Sequence, residues 1–80
     1  MKDLAGRARI LARIRRLGDG NPGDHRTLTA GISELRIDTG PGYRVYYTQR
    51  GNELIILLAG GDKGTQQRDI EKAAALARNI

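Results

Sequence analysis

The sequence predicts an α+β fold: a helix, a three-stranded antiparallel meander and a C-terminal helix. Three observations predict it. The chain opens with apolar residues at helical spacing, its middle carries short runs that alternate polar and apolar side chains between glycine-rich turns, and its end returns to helical spacing with many alanines. Eighty residues suit one domain spanning 1–80. A domain of that size buries only roughly 60% of the surface its unfolded chain exposes.

Residues 3–17, DLAGRARILARIRRL, place Leu4, Ala8, Leu11 and Ile14 on one helical stripe, with Ile10 and Leu17 one step round. Arg9, Arg13 and Arg16 share another face, flanked by Arg7 and Arg15. Asp3 complements the helix dipole at the start, and Gly18 is expected to end the helix. Residues 18–31 are rich in Gly, Asp, Asn and Pro and predict a loop, which holds the single histidine, His25.

Three strands follow. In 32–38, Leu35 and Ile37 point one way while Glu34, Arg36 and Asp38 point the other. Gly40-Pro41-Gly42 is a turn. In 43–50, Tyr43, Val45 and Tyr47 share one face, and Arg44, Tyr46 and Thr48 share the opposite one. Gly51-Asn52 is a second turn. The run 53–60 is apolar on both faces, which predicts a central or doubly covered strand. A helix over 65–79 closes the chain, with Thr65 as N-cap, Asp69 in an early turn and an apolar face of Ile70, Ala73, Ala74 and Leu76, with Ala77 beside them.

The net charge is +5, and eleven of the fourteen basic residues are arginine. Arginine offers planar paired donors that match phosphate, so the balance points to a polyanion or an acidic protein partner. There is no cysteine, hence no disulfide, which suits a reducing cytoplasm. The longest apolar run, LIILLA at 54–59, has the length of a strand, so neither a membrane span nor a signal-peptide core is expected. One histidine, no cysteine and no tight carboxylate cluster argue against a metal site, and no cofactor is expected. Ser33, the one serine, lies eight residues from His25 and is no basis for a nucleophilic triad. The stretch GGDKGTQ at 60–66 opens backbone amides near a helix start. Its Lys-Gly-Thr order is not the phosphate-loop motif, so a turn leading into the helix is the plainer reading.

The hairpin places Arg36 and Arg44 on the face away from Leu35, Ile37, Val45 and Tyr47, together with Tyr46. Lys63 lies just past the last strand, within reach of that surface. Such a group suits a phosphate and a developing phosphorane. The competing reading is an ordinary solvated sheet face with Arg36 paired to Glu34 or Asp38. Tyr43 and Tyr47 belong to the core side, whereas Tyr46 faces the arginines and is a candidate for stacking or proton donation. Arg9, Arg13 and Arg16 either track phosphates or simply solubilise the helix.

The segments ARILARIRRL, GISELRI, GPGYRVYYTQRG and LLAGGDKGTQQRDI, with the alanine-rich final helix, resemble the RelE/ParE superfamily of toxins, and more narrowly its HigB-like addiction module killer branch. The likeness runs from about residue 3 to the C-terminus. It implies the toxin of a type II toxin–antitoxin system, a ribosome-dependent mRNA endoribonuclease that inhibits translation. The ParE side of the superfamily implies the alternative, a DNA gyrase inhibitor; a third alternative is an inactive module that only binds antitoxin. By position in the family pattern, Arg36, Arg44 and Lys63 match its basic site residues. The implied chemistry is metal-independent attack of an RNA 2′-hydroxyl on the adjacent phosphate. Relatives often carry a C-terminal tyrosine or histidine that this chain lacks, which leaves Tyr46 as the substitute. The implied partners are a helix-turn-helix, HigA-like antitoxin, the ribosome and mRNA, all cytoplasmic. Relatives begin with a strand and a helix ahead of the point where this chain opens. Their absence would leave a sheet edge and a helix stripe free for self-association.

Overall fold

The computed structural model describes residues 3–29, 31–51 and 54–79. Helix α1 (Leu4–Gly18) begins at Asp3, whose carboxylate accepts the Gly6 amide at 2.9 Å. Gly18 is the last helical residue rather than the cap. Asp19 takes that place, and the chain then turns through Gly20 at φ +88°. The helix packs through Ile10, Ile14 and Leu17, one step round from the stripe expected to pack, so Leu4 and Leu11 remain exposed.

The expected loop contains a fourth strand, β1 (His25–Thr27), paired antiparallel with β2 (Ile32–Ile37). All three β1 residues are exposed, so no apolar alternation marked it in the sequence. β3 (Tyr43–Arg50) and β4 (Leu54–Asp62) complete a four-stranded antiparallel sheet in the order β1-β2-β3-β4. The second expected turn falls partly on residue 52, which lies outside the described residues, as does residue 53 at the expected start of the last strand.

β4 departs from expectation twice. It runs on through Gly60, Gly61 and Asp62, which pair with Val45, Arg44 and Tyr43. It is also an edge strand, not a central one. A register shift between Tyr46 and Tyr47 leaves Leu58 as an extra residue, opposite neither tyrosine. Leu58 and Ile56 reach one core cluster and Ile55 the other, while Leu54 and Leu57 stay half exposed. Both faces of β4 are therefore used, which explains its continuous apolar run without any neighbour on its far side.

After β4 a single 3-10 turn (Lys63–Thr65) leads into α2 (Gln66–Arg78). Thr65 stands at the N-cap position of α2 but makes no side-chain cap bond there. Asp62 caps the preceding turn instead, accepting the Gly64 amide at 2.8 Å and the Thr65 amide at 3.2 Å. The Thr65 hydroxyl donates to Asp69. A Cβ on Gly61 would collide with that Asp69 carboxylate and stand 2.6 Å from Thr65 Oγ1, so only glycine fits there.

The sheet lies between the two helices. Leu35, Ile37, Val45 and Tyr47 meet α1 on one face, and Ile32, Tyr46 and Leu58 meet Ala73 of α2 on the other. Ile70, Ala74 and Ala77 also pack on the α2 side, while Leu76, expected on that face, is exposed. The alternation expected for β2 and β3 holds. Among the described residues no helix is long and apolar enough to cross a membrane.

Candidate functional site

α2 covers only part of its face of the sheet. Residues directly opposite one another across antiparallel strands share a face. Arg36 pairs with Arg44, and Arg44 pairs with Gly61. The Arg36 amide also donates to Asp24 O at 3.0 Å, which extends this row to the segment before β1. The next row, Arg26, Glu34, Tyr46 and Ala59, leads towards α2. The outer row stays open. It forms one wall of a cavity of about 330 Å³ lined by Asp24, Arg36, Asp38, Gly42, Arg44 and Lys63. Lys63 enters from the turn after β4: a Cβ on Gly42 would sit 3.6 Å from the Lys63 Cβ. Three cations from three chain segments thus line one cavity.

Each arginine has a carboxylate partner. Arg36 reaches Asp24 Oδ1 through Nη2 at 3.0 Å and Nε at 3.3 Å. Both side chains are well exposed, so this pair contributes little to stability. The solvated-face alternative offers Glu34 or Asp38 as the partner of Arg36; the partner is instead Asp24, which precedes a short strand with no apolar signal. Arg44 is mostly buried and lies with Nη1 3.5 Å from Oε1 of Glu34, whose side chain is wholly buried. The other oxygen, Glu34 Oε2, accepts from Gln66 Nε2 at 2.8 Å. Among the described residues Lys63 forms no ion pair.

Tyr46 does not share an open surface with the arginines. It is on their face of the sheet but lies fully buried beneath α2, among Ile32, Leu58 and Ala73. Burial first, then the nearby negative charges of Glu34 and Asp69, push its phenol up to about 12. A neutral phenol sealed from solvent cannot donate to or accept from a surface-bound substrate. The other two tyrosines stand on the core side, as their alternation requires. Tyr47 is buried, and the Tyr43 hydroxyl donates to Asp3 Oδ2 at 2.8 Å. That bond is the main cause of the rise in the Tyr43 pKa, while the Gly6 amide and then the Tyr43 hydroxyl lower that of Asp3.

Of the three α1 arginines expected to share a face, Arg9 and Arg16 are exposed and Arg13 is half-buried. Arg13 is a clamp. Its guanidinium donates to Arg36 O at 2.7 Å, Pro22 O at 3.0 Å and Asp24 O at 3.0 Å. It ties the 22–24 segment to β2 and so fixes the backbone that carries Asp24. Gly23, at φ +65°, lets the chain pass over it: a Cβ there would meet Nη2 at 2.9 Å. Arg9, Arg13 and Arg16 line a second cavity, which shares Ile37 and Asp38 with the first. His25 is placed by its register opposite Leu35, on the α1 face, and does not join the cationic cavity. Among the described residues no three His, Cys, Asp or Glu side chains gather as metal ligands.

A relative from Haemophilus influenzae (strain ATCC 51907 / DSM 11121 / KW20 / Rd), described as an uncharacterized protein, is 51% identical over 80 residues, covering 100% of this chain and 81% of that protein. No solved structure matches the chain. The family model described as "Phage derived protein Gp49-like (DUF891)" matches residues 3–79. The chain belongs to this Gp49-like family, a toxin-like family of addiction modules.

Proposed function

We propose that this protein is the toxin of a type II toxin–antitoxin pair of the RelE/HigB type, and that it cleaves ribosome-bound mRNA in the cytoplasm. The observation that carries the reading is the convergence of Arg36, Arg44 and Lys63 on one open cavity. That cavity adjoins a second one bearing Arg9 and Arg16. A phosphodiester held in the first cavity leaves the flanking backbone free to follow the helix arginines.

The reaction is intramolecular. The 2′-oxygen attacks the adjacent phosphorus, the bond from phosphorus to the 5′-oxygen breaks, and a 2′,3′-cyclic phosphate and a 5′-hydroxyl result. Arg44 and Arg36 stabilise the extra negative charge of the phosphorane. Lys63, free of an ion-pair partner among the described residues, protonates the departing 5′-oxygen. Asp38, exposed on the cavity rim, accepts the 2′-hydroxyl proton. Tyr46 has no part in the reaction, because it is buried. The substrate phosphate must compete with Asp24 for Arg36, so binding requires that exposed ion pair to open. The cognate antitoxin, an acidic or helix-turn-helix protein, silences the toxin by covering this cationic surface.

Primer extension on a reporter mRNA in a translating extract tests the reading, with Arg44→Ala as control. In-frame cuts that require ribosomes and vanish in the variant are the expected result. A folded protein that cuts nothing refutes it. The exposed apolar residues Leu4, Leu11 and Leu57 favour one second reading, a ParE-like inhibitor that docks on DNA gyrase. That reading predicts DNA-damage signalling and indifference to Arg44→Ala.

A further inference from the structure

The buried carboxylate of Glu34 is an expensive feature. A charge taken fully out of water is retained at a cost unless it is paired with good geometry and its remaining lone pairs are hydrogen-bonded. Glu34 is paired imperfectly. Oε2 is well held by Gln66, but Oε1 has no hydrogen-bond partner and lies 3.5 Å from Arg44 Nη1. Arg44 Nε is also buried without a hydrogen-bond partner, and the buried Tyr46 hydroxyl stands beside the Glu34 carboxylate without good hydrogen-bond geometry. A uniformly apolar layer under α2 would avoid all three orphaned atoms. The arrangement is therefore poorly explained as a stabilising device.

Its geometry explains it better as a holder for Arg44. Glu34 and Tyr46 stand opposite each other in the row beneath α2, and Arg44 lies one row further out, diagonal to Glu34. One end of the guanidinium is drawn inward by the carboxylate. The side chain also lines the cavity, where Arg36 and Lys63 meet it. Glu34 is itself fixed by Gln66, the first residue of α2. The start of α2 thus sets the carboxylate, and the carboxylate sets the guanidinium.

We propose that Glu34, locked by Gln66, is the positioning residue of Arg44: from inside the fold it fixes the angle at which that guanidinium is presented to a phosphate in the cavity. The catalytic consequence rests on the ribonuclease reading above; the geometric claim does not. Glu34 touches no substrate and transfers no proton. It also lowers the positive potential of the cavity, so it trades raw anion affinity for orientation.

The test compares Glu34→Gln, Glu34→Asp and Gln66→Ala with the wild-type chain. Four readouts are used: thermal melting, the Arg44 Nε–Hε signal in ¹⁵N-arginine-labelled protein, binding of a short RNA oligonucleotide, and single-turnover cleavage on ribosomes. In Glu34→Gln the Arg44 signal loses its order, binding of a short RNA oligonucleotide is unchanged or tighter, and the cleavage rate falls roughly ten- to a hundredfold, the cost of a misplaced catalytic group. Melting stays close to wild type, because the amide still bonds Gln66 and the guanidinium, mostly buried in the wild type, swings out into the cavity once its carboxylate partner is gone. Glu34→Asp, which keeps the charge on a shorter stem, restores part of the order and part of the rate. Equal Arg44 order in wild type and Glu34→Gln overturns the proposal. So does loss of melting temperature, binding and rate together, the pattern of a merely structural residue. Should Glu34→Gln fail to fold, Gln66→Ala decides, because it keeps the carboxylate but releases it: an ordered Arg44 there overturns the proposal. Should the wild type cut no RNA, the ribonuclease reading fails on that result, and the Arg44 signal still decides the positioning claim.

Discussion

Replacing Arg13 separates a structural arginine from its surface neighbours on the same helix. Sequence spacing groups Arg9, Arg13 and Arg16, but the structure spends Arg13 on three carbonyl oxygens, those of Pro22, Asp24 and Arg36, at 3.0, 3.0 and 2.7 Å. Hydrogen bonds from a charged donor contribute about 1.5–3 kcal/mol each when shielded, and less in water. Two of these three are partly buried and one is exposed. Arg13→Ala is therefore expected to cost about 2–3 kcal/mol. A domain of this size holds roughly 4–12 kcal/mol in total. At about 4–8 °C per kcal/mol the melting temperature should fall by roughly 8–24 °C. Arg9→Ala and Arg16→Ala should each stay within about 0.5 kcal/mol of wild type. Thermal and urea unfolding followed by circular dichroism measures all three. If Arg13→Ala melts with Arg9→Ala, the clamp is not holding the 22–24 segment and the account of how Asp24 reaches Arg36 is wrong.

Three further outcomes are expected. Gly61→Ala forces a methyl group into the Asp69 carboxylate and against Thr65, and should destabilise the fold by about 1–3 kcal/mol in a urea melt; a neutral substitution would show that the start of α2 is free to shift. Tyr46 should give an ultraviolet phenolate step near pH 12 that is absent from Tyr46→Phe. Its folded value lies above the ordinary value of 10, so the buried phenol stabilises the fold fully below pH 10 and loses that contribution as pH rises towards 12; a phenolate step at 10 that Tyr46→Phe removes refutes the burial. Asp3→Ala removes the α1 cap and should lower the melting temperature at pH 7. Because the Asp3 carboxyl is held below 3.8, its contribution is full above that value and fades as pH falls through the folded pKa, so the gap to wild type should close in acid; a gap that persists there contradicts the cap.

The sequence by itself determined the architecture and the sidedness of the hairpin. Alternation in 32–38 and 43–50 assigns Leu35, Ile37, Val45 and Tyr47 to one face and Arg36, Arg44 and Tyr46 to the other, because the side-chain period of a strand is set by the backbone alone. Helical spacing located both helices for the same reason. What alternation cannot say is what covers a face. Whether Tyr46 is solvated depends on where α2 lands, and that depends on the collective packing of Ala73, Ile70 and Ala77 against residues far away in the chain. The same holds for β1, whose three exposed residues carry no apolar signal and pair only because β2 offers an edge. It also holds for the stripe of α1 that packs, since Ile10, Ile14 and Leu17 and the exposed Leu4 and Leu11 are equally apolar on paper. Charge partnership is the clearest case. Composition counts eleven arginines, but only the tertiary structure decides that Arg13 binds backbone, Arg36 meets Asp24 and Arg44 meets a buried Glu34. Electrostatic energy follows distance and burial, and neither is a property of position along the chain.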